Sequence, residues 1–148
     1  MFFKKTVPRI LTLFLAIGFI LFITDISPTY ATLSCSVTTA VLCTSPSVVI
    51  VRMSSTTNAH AELPSQVTAN YANSVICCTG VTSLSNTCTN SFAIAVKLVS
   101  TTNSHVEQNT NSNYSNNACI SAPIGTMTVA YQDTNCTGYD TTLGSMAS

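Results

Sequence analysis

Two short apolar runs dominate the chain after its first thirty residues, and both alternate between two faces. In the later run Phe92, Ile94, Val96 and Leu98 alternate with Ala93, Ala95, Lys97 and Val99. In the earlier run Val49, Val51 and Met53 take the inward places, and Val48, Ile50 and Arg52 point the other way. A period of two, rich in β-branched and aromatic residues, predicts strands. Thr126–Tyr131 alternates as well, with Met127, Val129 and Tyr131 on one side. So does the stretch around His60, where Asn58, His60 and Glu62 share one face and Ala59, Ala61 and Leu63 the other. Polar stretches such as Asn109–Asn113 predict loops. No segment beyond the leader carries a convincing 3.6-residue apolar period. About eight or nine short strands predict an all-β, disulfide-bridged β-sandwich. The alternative is a stacked β-repeat array, which needs further copies to bury its ends.

The pattern repeats. Ser55-Thr56-Thr57-Asn58-Ala59-His60-Ala61-Glu62 returns 45 positions later as Ser100-Thr101-Thr102-Asn103-Ser104-His105-Val106-Glu107. Arg52 recurs as Lys97 and Cys43 as Cys88 at the same offset. A fixed period of this length means that one small unit has been copied. Residues 32–148 divide into a first copy at about 35–77, a second at about 78–119 and a shortened third at about 120–148. In the third, Cys136 to Met146 aligns with Cys43 to Met53, and no Ser-Thr-Thr-Asn phrase follows.

All seven cysteines lie beyond residue 31, which favours disulfides over metal thiolates. The simplest wiring joins Cys43–Cys77 and Cys88–Cys119 within copies and Cys35–Cys78 between them. A local wiring, Cys35–Cys43 and Cys78–Cys88, stays open. A bridge between the neighbours Cys77 and Cys78 would strain the peptide that joins them. Cys136 is left over and is a candidate for an intermolecular bridge.

Lys4, Lys5 and Arg9 precede an apolar run from Ile10 to Ile23, which ends near Ala31. A basic start, a short apolar centre and a small residue at the end predict a signal peptide over residues 1–31. Its removal takes three of the five basic residues and leaves Arg52 and Lys97 against Glu62, Glu107, Asp133 and Asp140, a formal charge of −2. Such a chain has no electrostatic footprint for nucleic acid, and after cleavage it has no segment for a membrane. Ser, Thr and Asn, about two-fifths of what remains, must do the solvating. Glycans are a further expected partner, since Asn113-Tyr114-Ser115 and Asn135-Cys136-Thr137 match the N-glycosylation pattern.

Candidate chemistry is confined to the two Asn-x-His-x-Glu phrases. Residues two apart on a strand point the same way, about 6.5–7 Å apart. His60 with Glu62, and His105 with Glu107, could therefore converge on a metal ion. Zinc wants three or four ligands, so the two phrases would have to face one another. The competing reading is structural. If the chain turns back through Ser55–Thr57, Arg52 falls across from His60 or Glu62, and Lys97 from His105 or Glu107, as register-fixing pairs. Tyr71 and Tyr114, each in an Asn-Tyr pair before a closing cysteine, read as duplicated packing residues. The chain carries no Gly-x-Ser-x-Gly, His-Glu-x-x-His or phosphate loop, and Asp133 and Asp140 have no catalytic pairing. The expectation is a protein that is not an enzyme and needs no cofactor.

The Ser-Thr-Thr-Asn-Ala-His-Ala-Glu phrase, the Asn-Tyr…Val-Ile-Cys-Cys stretch and the recurring opening cysteine resemble repeats in predicted secreted proteins from uncultured bacteria. The likeness spans roughly Cys35 to Met146. Those repeats have no established activity, so the resemblance implies an extracellular or cell-surface place and carries over no functional residue. The expected function is an extracellular structural protein, a surface, adhesive or filament component. It would associate head-to-tail through an open C-terminal end. A metal- or carbohydrate-binding module centred on the His phrases is the alternative.

Overall fold

A computed structural model describes residues 32–66, 69–132 and 136–144. The expected leader lies outside the described residues. Among the described residues eight strands form two antiparallel sheets, and the fold is all-β apart from a 3-10 turn at Ala69–Tyr71. The first sheet holds β1 (Ser34–Thr38), β2 (Val48–Met53), β3 (Ala61–Glu62) and β4 (Ser74–Thr79), in the order β1-β4-β2-β3. The second holds β5 (Thr82–Asn86), β6 (Ala93–Leu98), β7 (Val106–Glu107) and β8 (Asn116–Ser121), in the order β5-β8-β6-β7. The two orders are the same, and β6 and β7 follow β2 and β3 at the 45-residue offset read in the sequence.

Both central pairs carry a β-bulge at the equivalent place, between Val49 and Val51 and between Ile94 and Val96. An extra residue in one strand breaks the alternation there. Ile50 (1% exposed) is therefore buried beside Val51, although strict alternation places it outward. Ala95 is buried in the same way. The simple inward set of Val49, Val51 and Met53 is corrected accordingly. Ile50, Val51, Ala61 and Leu63 from the first half join Ala95, Leu98, Ala118 and Ile120 from the second in one core. Full burial of such an aliphatic side chain contributes about 1.5–3 kcal/mol, and this shared core holds the sheets together.

Disulfides join Cys43–Cys77, Cys88–Cys119 and Cys35–Cys78. The first two occupy matching positions in the two sheets. Cys35 and Cys78 face each other across β1 and β4, so the third bridge lies within the first sheet. Its place in the second sheet is taken by Ser83 opposite Ile120.

The expected strand at Thr126–Tyr131 does not form; this stretch has no ladder partner. Its alternation is nevertheless real, because Met127, Val129 and Tyr131 are half-buried while the residues between them are exposed. It lies as a strap, with Met127 and Val129 packed on the core. Side chains hold it instead of a ladder. The Asn109 amide donates to the carbonyls of Ile94 (3.2 Å) and Val129 (3.3 Å), and the Tyr131 hydroxyl donates to that of Ala95. Among the described residues 136–144 no strand forms either, and Cys136 is an exposed free thiol.

Candidate functional site

The two repeated phrases meet. Ala61 and Ser104 exchange both backbone hydrogen bonds, each 2.8 Å, in an isolated antiparallel bridge that links β3 to the segment preceding β7. The Leu63 amide extends the contact to the Thr101 carbonyl at 3.0 Å. In an antiparallel pair the residues next to a doubly bonded pair form a non-bonded pair, whose side chains stand closest. Here that pair is His60 and His105. Their ring centroids are 4.9 Å apart and their planes are inclined at 48°. Residues at matching positions in the two phrases thus touch across a seam between the sheets, and both histidines are exposed.

The phrase itself is mostly turn. The Thr57 amide donates to Ser55 Oγ, and the Thr102 amide to Ser100 Oγ, at matching positions. Asn58 and Asn103 then both adopt φ of 45°, a left-handed conformation that asparagine tolerates better than most residues. These local bonds draw the backbone out of the extended form. Only Ala61–Glu62 and Val106–Glu107 remain as strand, and the expected shared face of Asn58, His60 and Glu62 is lost. The turn ends by clasping itself: the Ser54 amide donates to the His60 carbonyl (2.8 Å), and the His60 amide to Ser54 Oγ (2.9 Å).

Around His60 the side chains form a chain of hydrogen bonds. Asn103 Oδ1 accepts from the Tyr71 hydroxyl (2.7 Å) and lies 2.8 Å from His60 Nδ1. With that oxygen as acceptor, the hydrogen of this contact sits on His60 Nδ1, which in the neutral ring leaves the lone pair on Nε2. Tyr71 and Asn103 were not singled out as site residues from sequence, although both belong to duplicated phrases.

Glu62 and Glu107 do not join the histidines. Both are buried, Glu62 completely, opposite Arg52 and Lys97 in the ladders of β2 with β3 and of β6 with β7. The two cations are engaged elsewhere: Arg52 Nε donates to the Pro64 carbonyl (3.4 Å) and Lys97 Nζ to that of Asn111. The carboxylates differ from one another. Glu107 accepts from the Tyr114 amide (2.6 Å) and from Asn113 Nδ2 (3.1 Å). Neither Glu62 oxygen has a hydrogen-bond partner, and burial raises its pKa above the ordinary carboxylate value. The Arg52 charge and the nearby Tyr71 amide offset this only in part. Among the described residues no three His, Cys, Asp or Glu side chains gather as a metal cluster. The set His60, Glu62, His105 and Glu107 thus reduces to an exposed histidine pair and two separate interior carboxylates. Asp133 and Asn135 lie outside the described residues; Asp140 is exposed.

No protein-family model, curated protein or solved structure matches the chain. Among the described residues no helix is long and apolar enough to cross a membrane.

Proposed function

We propose that the chain is a non-enzymatic extracellular structural protein, a surface, adhesive or filament component that adds to copies of itself edge to edge. We read it as two full copies of a roughly 45-residue unit followed by the beginning of a third. Three disulfides suit an oxidising, extracellular compartment, and the hydroxyl- and amide-rich composition suits a solvated surface with few charges.

The observation that carries the reading is the state of the outer sheet edges. At the seam, β3 bridges to Ser104 in the segment preceding β7, so the inner ends of the two sheets meet one another. At the opposite ends of the two sheets stand β1 and β5. Natural proteins protect such edges with charged residues or proline. Ser-Cys-Ser-Val-Thr in β1 and Thr-Ser-Leu-Ser-Asn in β5 hold neither. Val37 on β1 is 50% exposed and Leu84 on β5 36% exposed. An edge of this kind accepts a strand from another chain, with main-chain hydrogen bonds supplying affinity. The proposed association joins β1 of one molecule to β5 of the next; the described residues 136–144 near the C-terminal end form no strand that could serve in their place. Contacts between two different surfaces build rings or open filaments, and Cys136 is available to lock neighbours by a disulfide. Electron microscopy of the natively secreted, oxidised protein should show filaments, rings or sheets. Dispersed single particles at high concentration would overturn the reading.

A further inference from the structure

We infer that the His60–His105 pair is a binding site for a borderline-soft divalent cation, Cu2+ or Zn2+, set across the seam between the two sheets. Three features carry this. The first is spacing. With metal–nitrogen bonds of about 2.0–2.1 Å and each ring centre about 1.1 Å beyond its nitrogen, two imidazoles held at a near-tetrahedral angle have centroids about 5 Å apart. The observed separation is 4.9 Å, so the ring centres already stand at the spacing that a shared ion requires.

The second is the state of the nitrogens. A ligating histidine characteristically gives its other ring N–H to an oxygen acceptor, which fixes tautomer and orientation. Asn103 Oδ1 takes this part for His60 Nδ1, and the Tyr71 hydroxyl holds that oxygen in place from the other side. The Nε2 lone pair is left for a metal. The third is rigidity. The pair sits beside the doubly hydrogen-bonded Ala61–Ser104 bridge, and Ser54 clasps the His60 backbone. Little ordering therefore remains to be done on binding.

The ligand set decides the ion. Two imidazoles, with Glu62 and Glu107 withdrawn into the interior, offer nitrogen and no carboxylate. Calcium and magnesium, which demand oxygen, are poor guests. Copper should exceed zinc by the ordinary affinity order, with water completing the coordination. A bound ion would tie the two copies together at the point where their backbones meet, and would stabilise the folded chain by mass action. The inference stands on the seam geometry and does not depend on assembly through β1 and β5.

The test is calorimetric titration of the oxidised protein with Cu2+, Zn2+ and Ca2+ at about pH 7.5, where imidazole is neutral. Wild type and Cys136→Ser should show the same single saturable site for copper and a weaker one for zinc, with no calcium heat. His60→Ala and His105→Ala should each weaken copper binding by more than about tenfold, and Tyr71→Phe by less, as befits a positioning residue. These surface substitutions leave the core intact, and a copper-dependent rise in melting temperature should appear in wild type and vanish in both histidine variants. Absence of saturable copper and zinc binding in wild type would overturn the inference. So would binding that survives in the double histidine variant or that disappears in Cys136→Ser alone.

Discussion

Glu62 and Glu107 occupy equivalent positions in two sheets of the same strand order, yet replacing each by glutamine should have different consequences. Glu107 accepts two hydrogen bonds, from the Tyr114 amide at 2.6 Å and from Asn113 Nδ2 at 3.1 Å. Bonds to a charged group contribute about 1.5–3 kcal/mol, and a glutamine keeps one acceptor while losing the charge, so Glu107→Gln should cost about 1–2 kcal/mol. Glu62 is fully buried with both oxygens unpartnered, and only the Arg52 charge and the Tyr71 amide temper its desolvation. Removing a poorly compensated buried charge is neutral or favourable, so Glu62→Gln should lie between no change and about 1 kcal/mol of stabilisation at neutral pH. The pH dependence has a definite sign. The folded-state pKa of Glu62 is raised above 4.5, so the folded protein takes up a proton before the unfolded chain does. Wild type should therefore gain stability from this residue as pH falls from neutral through the folded pKa towards the unfolded one, and lose it on the way back. Glu62→Gln should lack that gain. Urea unfolding followed by circular dichroism, with disulfides intact, measures both effects at about pH 7 and about pH 5. A Glu62→Gln variant as destabilised as Glu107→Gln, or one that retains the full wild-type gain on acidification, would refute the reasoning.

The remaining consequences concern the core and the bridges. Leu63 and Leu98 are completely buried, so Leu63→Ala and Leu98→Ala should each cost about 2–5 kcal/mol in the same unfolding assay. The Cys88–Cys119 bridge spans a sequence separation of 31; replacing both cysteines by serine should cost about 3–4 kcal/mol on the loop-entropy model. Because the second sheet has no counterpart of Cys35–Cys78, hydrogen exchange should then accelerate in β5, β6 and β8 more than in the doubly bridged first sheet.

The central strands were legible because β2 is a nearly unbroken apolar, β-branched run and β6 alternates around Ile94, Val96 and Leu98, and the 45-residue period announced that they would be equivalent. Their bulges were not legible. Val48 to Val51 are all apolar, so no polar residue marks where the alternation slips. The His phrase misled for a related reason. Ala59, Ala61 and Leu63 alternate with polar residues as a strand would, but the Ser55 hydroxyl and the left-handed Asn58 impose a turn that alternation cannot register. Thr126–Tyr131 failed in the opposite direction: its faces alternate as read, but the chain offers it no neighbouring strand. At the site, the sequence paired Arg52 and Lys97 with either member of each phrase, and the ladders select Glu62 and Glu107. The contact between the phrases, and the roles of Tyr71 and Asn103 in it, depend on how the two sheets pack. No local pattern encodes that packing.

The central claim is association through the outer edges β1 and β5, and sedimentation velocity of the oxidised protein across a wide concentration range tests it most directly. Wild type should shift to faster species as concentration rises. Val37→Lys and Leu84→Lys, which place a charge on each exposed edge without entering the core, should each keep the chain at the mass of a monomer under the same conditions. A wild type that sediments as a monomer throughout, or variants that assemble as wild type does, would contradict the account.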